Sequence, residues 1–190
     1  MTNPKRAILL RGKEKSLSRK HPWIFSGALK SKDKDIEEGD LVRVFSSEGE
    51  FLCIGHWQNG SIAVKVLSFE NERIDYGFVL ERIRTAVELR QTIGMFTDKD
   101  TTIFRLVNGE GDFMPSLIAD YYDGLVVVQF HSIGMYLLKE EIVQALKDEG
   151  KNPLVLVEQK LDYSKFVEEG YGTGDAVIVA EGVIHIVDYK

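Results

Sequence analysis

The chain has 190 residues, 44% hydrophobic and 28% charged, a balance that places it among folded globular proteins and against wholesale disorder. No apolar run approaches the roughly 18 residues that cross a bilayer, and the opening MTNPKRAILLRGK holds only four consecutive apolar positions, too few for a signal peptide. A net charge of −6 disfavours a protein that coats nucleic acid over its whole surface; a single cysteine, Cys53, excludes an internal disulfide framework and fits a reducing cytoplasm.

The charge is unevenly placed. Ten Lys and Arg against two acids, Glu14 and Asp33, precede residue 35, so the remainder carries 14 basic and 28 acidic residues. Residues 6–10 (RAILL) read as a short strand. The adjoining segment, residues 11–28 (RGKEKSLSRKHPWIFSGA), sets Arg11, Lys13, Lys15, Arg19 and Lys20 directly against His21, Pro22, Trp23 and Phe25. Charges more than about 8 Å apart are largely screened at physiological salt, so a positive patch can persist on a negative body. Cations take phosphates and His or Trp rings stack on exposed bases, and the segment therefore reads as a polyanion-facing surface, for RNA.

Further on, Leu41, Val42, Val44 and Phe45 read as a strand, residues 46–49 as a turn and residues 51–54 as the return strand. Asn59-Gly60 is a hairpin dipeptide, and SIAVKVLSF comes after it with β-branched enrichment. Residues 5–70 thus read as four or five short strands with at most a stray helical turn near Pro22, and residues 1–72 as a small β-barrel. The period changes over residues 75–94, where Val79, Leu80, Ile83, Ala86, Val87 and Arg90 recur at helical spacing before Gly94: an amphipathic helix bridging the barrel to the second half of the chain. Residues 101–108 read as a strand, NGEGD as a turn, residues 116–121 as a strand, and Asp123-Gly124 as a hairpin turn into LVVVQFH. Residues 135–148 read as one helix capped by Gly150 and stopped by Pro153. A strand at residues 154–158 and a closing hairpin, AVIVA and VIHIV around Glu181-Gly182, complete the chain. The fold class is α+β: a barrel over residues 1–72, then a β-β-β-α-β layer plus hairpin over residues 73–190 that includes the connecting helix.

Other motifs are weaker. A phosphate-cradling glycine loop must follow a strand and open a helix, whereas GYGTG at residues 170–174 precedes the β-branched AVIVA; it reads as a connection. The carboxylates of NGEGD, with Asp120 and Asp123, lack the ligand pattern of a calcium loop and read as turn chemistry. Cys53 sits among apolar neighbours far from any base and reads as buried structure, not as a nucleophile. The four histidines, His21, His56, His131 and His185, have no ligand spacing, and no zinc site is expected.

RKHPWIFSGA, GD-x-V-x-V, GEFLCIGHW and SIAVKVLS resemble the PUA domain that begins the rRNA large-subunit methyltransferase I family. FRLVNGEGDFMPSLIADYYDGLVVVQF and the later GTGDAVIVAEGVIHIVDY resemble its central EEHEE domain of strands, helix and strands. The resemblance is collinear along essentially the whole chain. It implies a PUA-like barrel followed by an EEHEE α/β sandwich-type domain. It also implies a parent enzyme that methylates C5 of a cytosine in 23S rRNA with S-adenosylmethionine, through a catalytic domain outside these residues. The chain is accordingly expected to be the N-terminal piece of a longer RNA methyltransferase, with a stand-alone non-catalytic RNA-binding or ribosome-associated module as the alternative. A protein–protein adaptor and a homodimer stay open. The expected contribution of this chain is RNA recognition, with Arg11, Lys13, Lys15, Arg19 and Lys20 on phosphates and His21 or Trp57 as stacking groups. No catalytic residue, cofactor, metal or membrane partner is expected within it.

Overall fold

The computed structural model describes residues 4–149 in full and, beyond them, the backbone of residues 154–157, 160–162, 171–173, 176–180 and 183–187. The first region is a curled six-stranded sheet in the order β2-β6-β5-β4-β1-β3. Its strands are β1 (Lys5–Leu9), β2 (Trp23–Phe25), β3 (Leu29–Lys32), β4 (Leu41–Phe45), β5 (Phe51–Trp57) and β6 (Ile62–Ser68). A single helical turn, α1 (Lys15–Ser18), joins β1 to β2. β1 runs parallel to β4 and antiparallel to β3, and every other pairing in this sheet is antiparallel.

Six strands stand where four or five are expected. β2 falls inside the basic segment and β3 directly after it, where the apolar alternation that marks a strand is missing. β2 instead pairs with β6, Trp23 opposite Lys65, and β3 pairs back onto β1. Such long-range ladders leave no local signature. The helical turn precedes Pro22, at Lys15–Ser18.

Period-two geometry gives the β5–β6 hairpin two buried faces. Cys53, Trp57, Val64 and Val66 join Val42, Val44 and Leu9 in one core. Ile54 and Leu67 turn the other way, into the core of the second region. At Gly55 a Cβ would meet the Lys65 carbonyl oxygen at 2.2 Å, so only glycine lets the two strands close over their register shift.

The second region is a four-stranded sheet, β10-β9-β8-β7, comprising β7 (Ile103–Asn108), β8 (Leu117–Tyr122), β9 (Leu125–Phe130) and β10 (Leu154–Val157). β10 lies parallel to β9 and the rest form an antiparallel meander. α2 (Tyr76–Thr92) matches the expected helix closely: the Asp75 side chain accepts from the Phe78 N–H, and Phe78, Val79, Ile83, Ala86, Val87 and Arg90 are buried. It packs on β7 and on α4, and so belongs to the second core rather than merely bridging to it.

The single helix expected over residues 135–148 is two: α3 (Ile133–Tyr136), capped by Ser132, and α4 (Lys139–Glu149). The chain tightens between them, the Leu138 N–H reaching Met135 rather than a carbonyl four residues back. Leu137 is exposed there while Leu138 is buried. Two further antiparallel pairs complete the described elements: β11 (Lys160–Asp162) with β12 (Tyr171–Thr173), and β13 (Ala176–Ala180) with β14 (Val183–Val187). The expected cap Gly150, the stop Pro153 and the turn Glu181-Gly182 lie outside the described residues, as do Gly170 and Gly174 of the glycine run. Among the described residues no helix is long and apolar enough to cross a membrane.

Candidate functional site

The basic segment hangs from one apolar anchor. Leu17 is the only buried residue of α1, and Lys13, Lys15, Arg19 and Lys20 around it are exposed. The turn closes with the Lys20 N–H on the Leu17 carbonyl (2.8 Å) and the His21 N–H on the Ser16 carbonyl (3.2 Å). That is the Schellman arrangement, and it places Lys20 at φ +61°, where glycine is the usual occupant. Its ammonium lies 4.5 Å from the centre of the Phe69 ring. Among the described residues, Arg11, Lys13, Lys15 and Arg19 have no carboxylate within ion-pairing distance. Lys5, at the edge of the segment, is held by Asp35.

Three rings adjoin these cations. His21 is exposed, and its Nδ1 accepts from the Trp23 N–H at 3.2 Å. Its ring centre lies 6.0 Å from that of Trp23 and 6.3 Å from that of Phe25, which is 49% exposed. A cavity of about 380 Å³ opens here, walled by Leu9, Lys13, Leu17, His21, Trp23 and Phe25. An apolar recess with a lysine at its lip and exposed rings beside it has the chemistry to receive an unstacked base while its phosphate meets the cation. Arg11, Lys13, Lys15, Arg19, Lys20 and His21 all lie on this short β1–α1–β2 connection.

Trp57 does not join them. It is 7% exposed, its indole N–H donates to Asn59 Oδ1 at 3.1 Å, and the Lys32 ammonium lies 4.4 Å from its ring centre. Both its position in the first core and that cover leave no open face for a base. The spacing from Cys53 was a usable signal: four residues along one strand means the same face.

Trp23 has a second partner that sequence pattern does not reveal. Its indole N–H donates to Glu110 Oε1 at 3.0 Å, and its cross-strand neighbour Lys65 bonds the Ser116 hydroxyl. Glu110 of the NGEGD loop and Ser116 beyond it thereby fasten the second region to β2 and β6 of the first. Within that loop Asp112 receives Arg90 in a bidentate pair at 2.6 and 2.8 Å, and also accepts the Asn108 N–H at 2.6 Å. Arg90 further donates to the Arg105 carbonyl at 3.0 Å. The loop carboxylates are committed to structure, as turn chemistry requires, and no three His, Cys, Asp or Glu among the described residues are grouped to hold a metal.

Cys53 is fully buried, and desolvation pushes its thiol up to about 12, so it is no nucleophile near neutral pH. His56, on the opposite face of β5, is brought down to about 4 by burial. It lies against α3 so closely that a Cβ at Gly134 would stand 2.3 Å from its ring, and it borders a cavity of about 200 Å³ with Lys5, Asp40, Leu41, Leu138 and Glu141.

Residues 7–69 match the family model described as PUA-like domain, and residues 134–190 the one described as Protein of unknown function (DUF2800). The chain is 32% identical over 175 residues to the ribosomal RNA large subunit methyltransferase I of Aeromonas hydrophila, covering 91% of this chain and 43% of that protein. It is 40% identical over 137 residues to the protein of the same name from Pseudoalteromonas translucida, covering 71% of this chain and 34% of that protein. A candidate SAM-dependent methyltransferase from Streptococcus mutans shares the fold at a TM-score of 0.72 and 17% identity, over 97% of this chain and 49% of that one. The chain spans less than half the length of each of these proteins.

Proposed function

We propose that this chain, which carries a PUA-like domain and belongs over most of its length with the ribosomal RNA large subunit methyltransferase I family, is the RNA-recognition portion of a SAM-dependent enzyme that methylates C5 of a cytosine in 23S rRNA. One observation carries the reading: four cations with no carboxylate partner among the described residues share one short connection with an open recess lined by Lys13, His21 and Phe25, on a body that is otherwise acidic. Structural ion pairs would have consumed those charges, as they do in the second region. Phosphates fall to Arg11, Lys13, Lys15, Arg19 and Lys20, and base stacking to His21 with Phe25. Trp23 shapes the recess from behind, and Trp57 has no part in it.

S-adenosylmethionine would supply the methyl group, and the described residues do not fit it. The middle of the 170–174 glycine run is strand β12, paired with β11, rather than the start of a helix whose amides could cradle a cofactor. Methyl transfer is assigned to the length of the family that this chain does not span.

RNA binding followed over a salt series tests the assignment. Four or five phosphate contacts predict a log–log slope of about −3 to −4. Lys13→Gln with Lys15→Gln should make the slope shallower by about two and weaken binding of a rRNA hairpin. A flat salt dependence in the unaltered chain would sink the reading.

A further inference from the structure

The second region presents an aromatic that nothing in its own core requires. Phe113 ends the 3₁₀ turn Gly109–Asp112 at φ +56°, ψ +28°, a conformation that a bulky L-residue rarely takes, and it is 55% exposed. Its neighbours fix the backbone without its help. Asp112 is clamped by Arg90, and Met114 is fully buried. A glycine would sit in this position without strain, and the ring would not be missed from the core.

What the ring does meet is Arg82. The guanidinium carbon lies 5.5 Å from the Phe113 ring centre and 5.0 Å from that of Phe78, one helical turn before it on α2. Arg82 has no carboxylate within ion-pairing distance among the described residues, although acids surround it. Those acids are engaged elsewhere: Glu72 with the Ser68 hydroxyl, Asp75 with the Phe78 N–H and Arg73, and Glu81 with Arg84.

The pair is also tethered to the recess on the first region. Glu110, which holds the Trp23 indole, is three residues before Phe113, about 6 Å along a 3₁₀ axis. Trp23 in turn lies against His21, on the wall of the recess.

We infer that Phe113 and Arg82 form a second nucleotide-binding position, where an unstacked RNA base lies on the open face of Phe113 and its phosphate meets Arg82. This rests on the RNA reading of residues 11–25 and extends that surface across the Trp23–Glu110 contact onto the second region. The ligand class is single-stranded or looped RNA, because base-on-ring stacking needs a base freed from its helix.

The test uses the full chain, a short mixed-sequence single-stranded RNA and fluorescence anisotropy over a salt series. Phe113→Gly keeps the backbone conformation and should bind about tenfold more weakly with an unchanged salt slope; Phe113→Trp should bind at least as well as the parent. Arg82→Gln should make the slope shallower by just under one unit. Lys13→Gln with Lys15→Gln reports separately on the first region. If that pair weakens binding while Phe113→Gly binds like the parent, the second position is refuted and the first stands. If the pair changes nothing, the underlying RNA reading falls and the second position with it.

Discussion

Two short charged connections, residues 11–20 in the first region and residues 108–113 in the second, use their charges in opposite ways. The first is tied down by one buried leucine and a main-chain cap; its Lys20 lies on the Phe69 ring, and its other cations are exposed with no carboxylate partner among the described residues. The second spends both its acids internally, Asp112 on Arg90 and Glu110 on Trp23. In the Arg90–Asp112 pair the side chains are 11% and 7% exposed, so each charge depends on the other. Burial, more than charge count, separates groups available to a ligand from groups that the fold has already used.

The sharpest way to test that contrast is to delete one charge from each connection. Asp112→Ala leaves the Arg90 guanidinium buried without its counter-charge and should cost about 3–5 kcal/mol in urea unfolding. Lys15→Ala removes an exposed, unpaired charge and should change stability by no more than about 0.5 kcal/mol. Equal losses in the two variants would erase the distinction.

The pattern of the chain announces some of this and hides the rest. α2 was legible because its buried residues recur at helical spacing before Gly94, and Arg90 stood among the inward positions. β4 and β6 were legible from β-branched runs beside turn dipeptides. β2 was not, because three residues cannot show a period and its partner lies forty residues on. The split between α3 and α4 was hidden for a related reason: α3 is seated by contacts with His56 and Gly39, in a different region of the chain. The cations of the candidate surface could be found by counting charge, and Phe113 could not, since no local signal marks an aromatic for a left-handed backbone position. Nothing in the NGEGD pattern separates Glu110 from the other turn acids, because its partner Trp23 lies 87 residues earlier in the chain.

A smaller effect distinguishes the seam between the regions from its two sides. His56 is neutral and buried there, with its ionisation brought from 6.5 down to about 4. Above pH 6.5 it imposes no protonation penalty on folding. As the pH falls below 6.5 the unfolded chain takes up the proton first, and stability is lost until the folded form also protonates near pH 4. The group's full contribution is on the order of 3 kcal/mol. His56→Gln should flatten that part of the stability–pH curve while leaving the salt slope of RNA binding unchanged. An unaltered acid limb in the variant would show that His56 is not what the seam loses at low pH.

The weakest link to measure is the one that joins the two connections. The Trp23–Glu110 hydrogen bond is half-buried and made to a carboxylate, and its coupling should be about 1 kcal/mol in a double-mutant cycle of Trp23→Phe and Glu110→Ala. Phenylalanine keeps the ring and removes only the donor, so the cycle isolates the bond from the packing of the recess. The same two variants should weaken RNA binding to a similar degree, and together no more than either alone, because each frees the 109–113 turn from β2. Strictly additive effects on stability, or a Glu110→Ala variant that binds RNA more tightly once a negative charge is gone, would mean that the carboxylate acts on RNA only through its charge. The recess and the 109–113 turn would then be independent surfaces that happen to be neighbours.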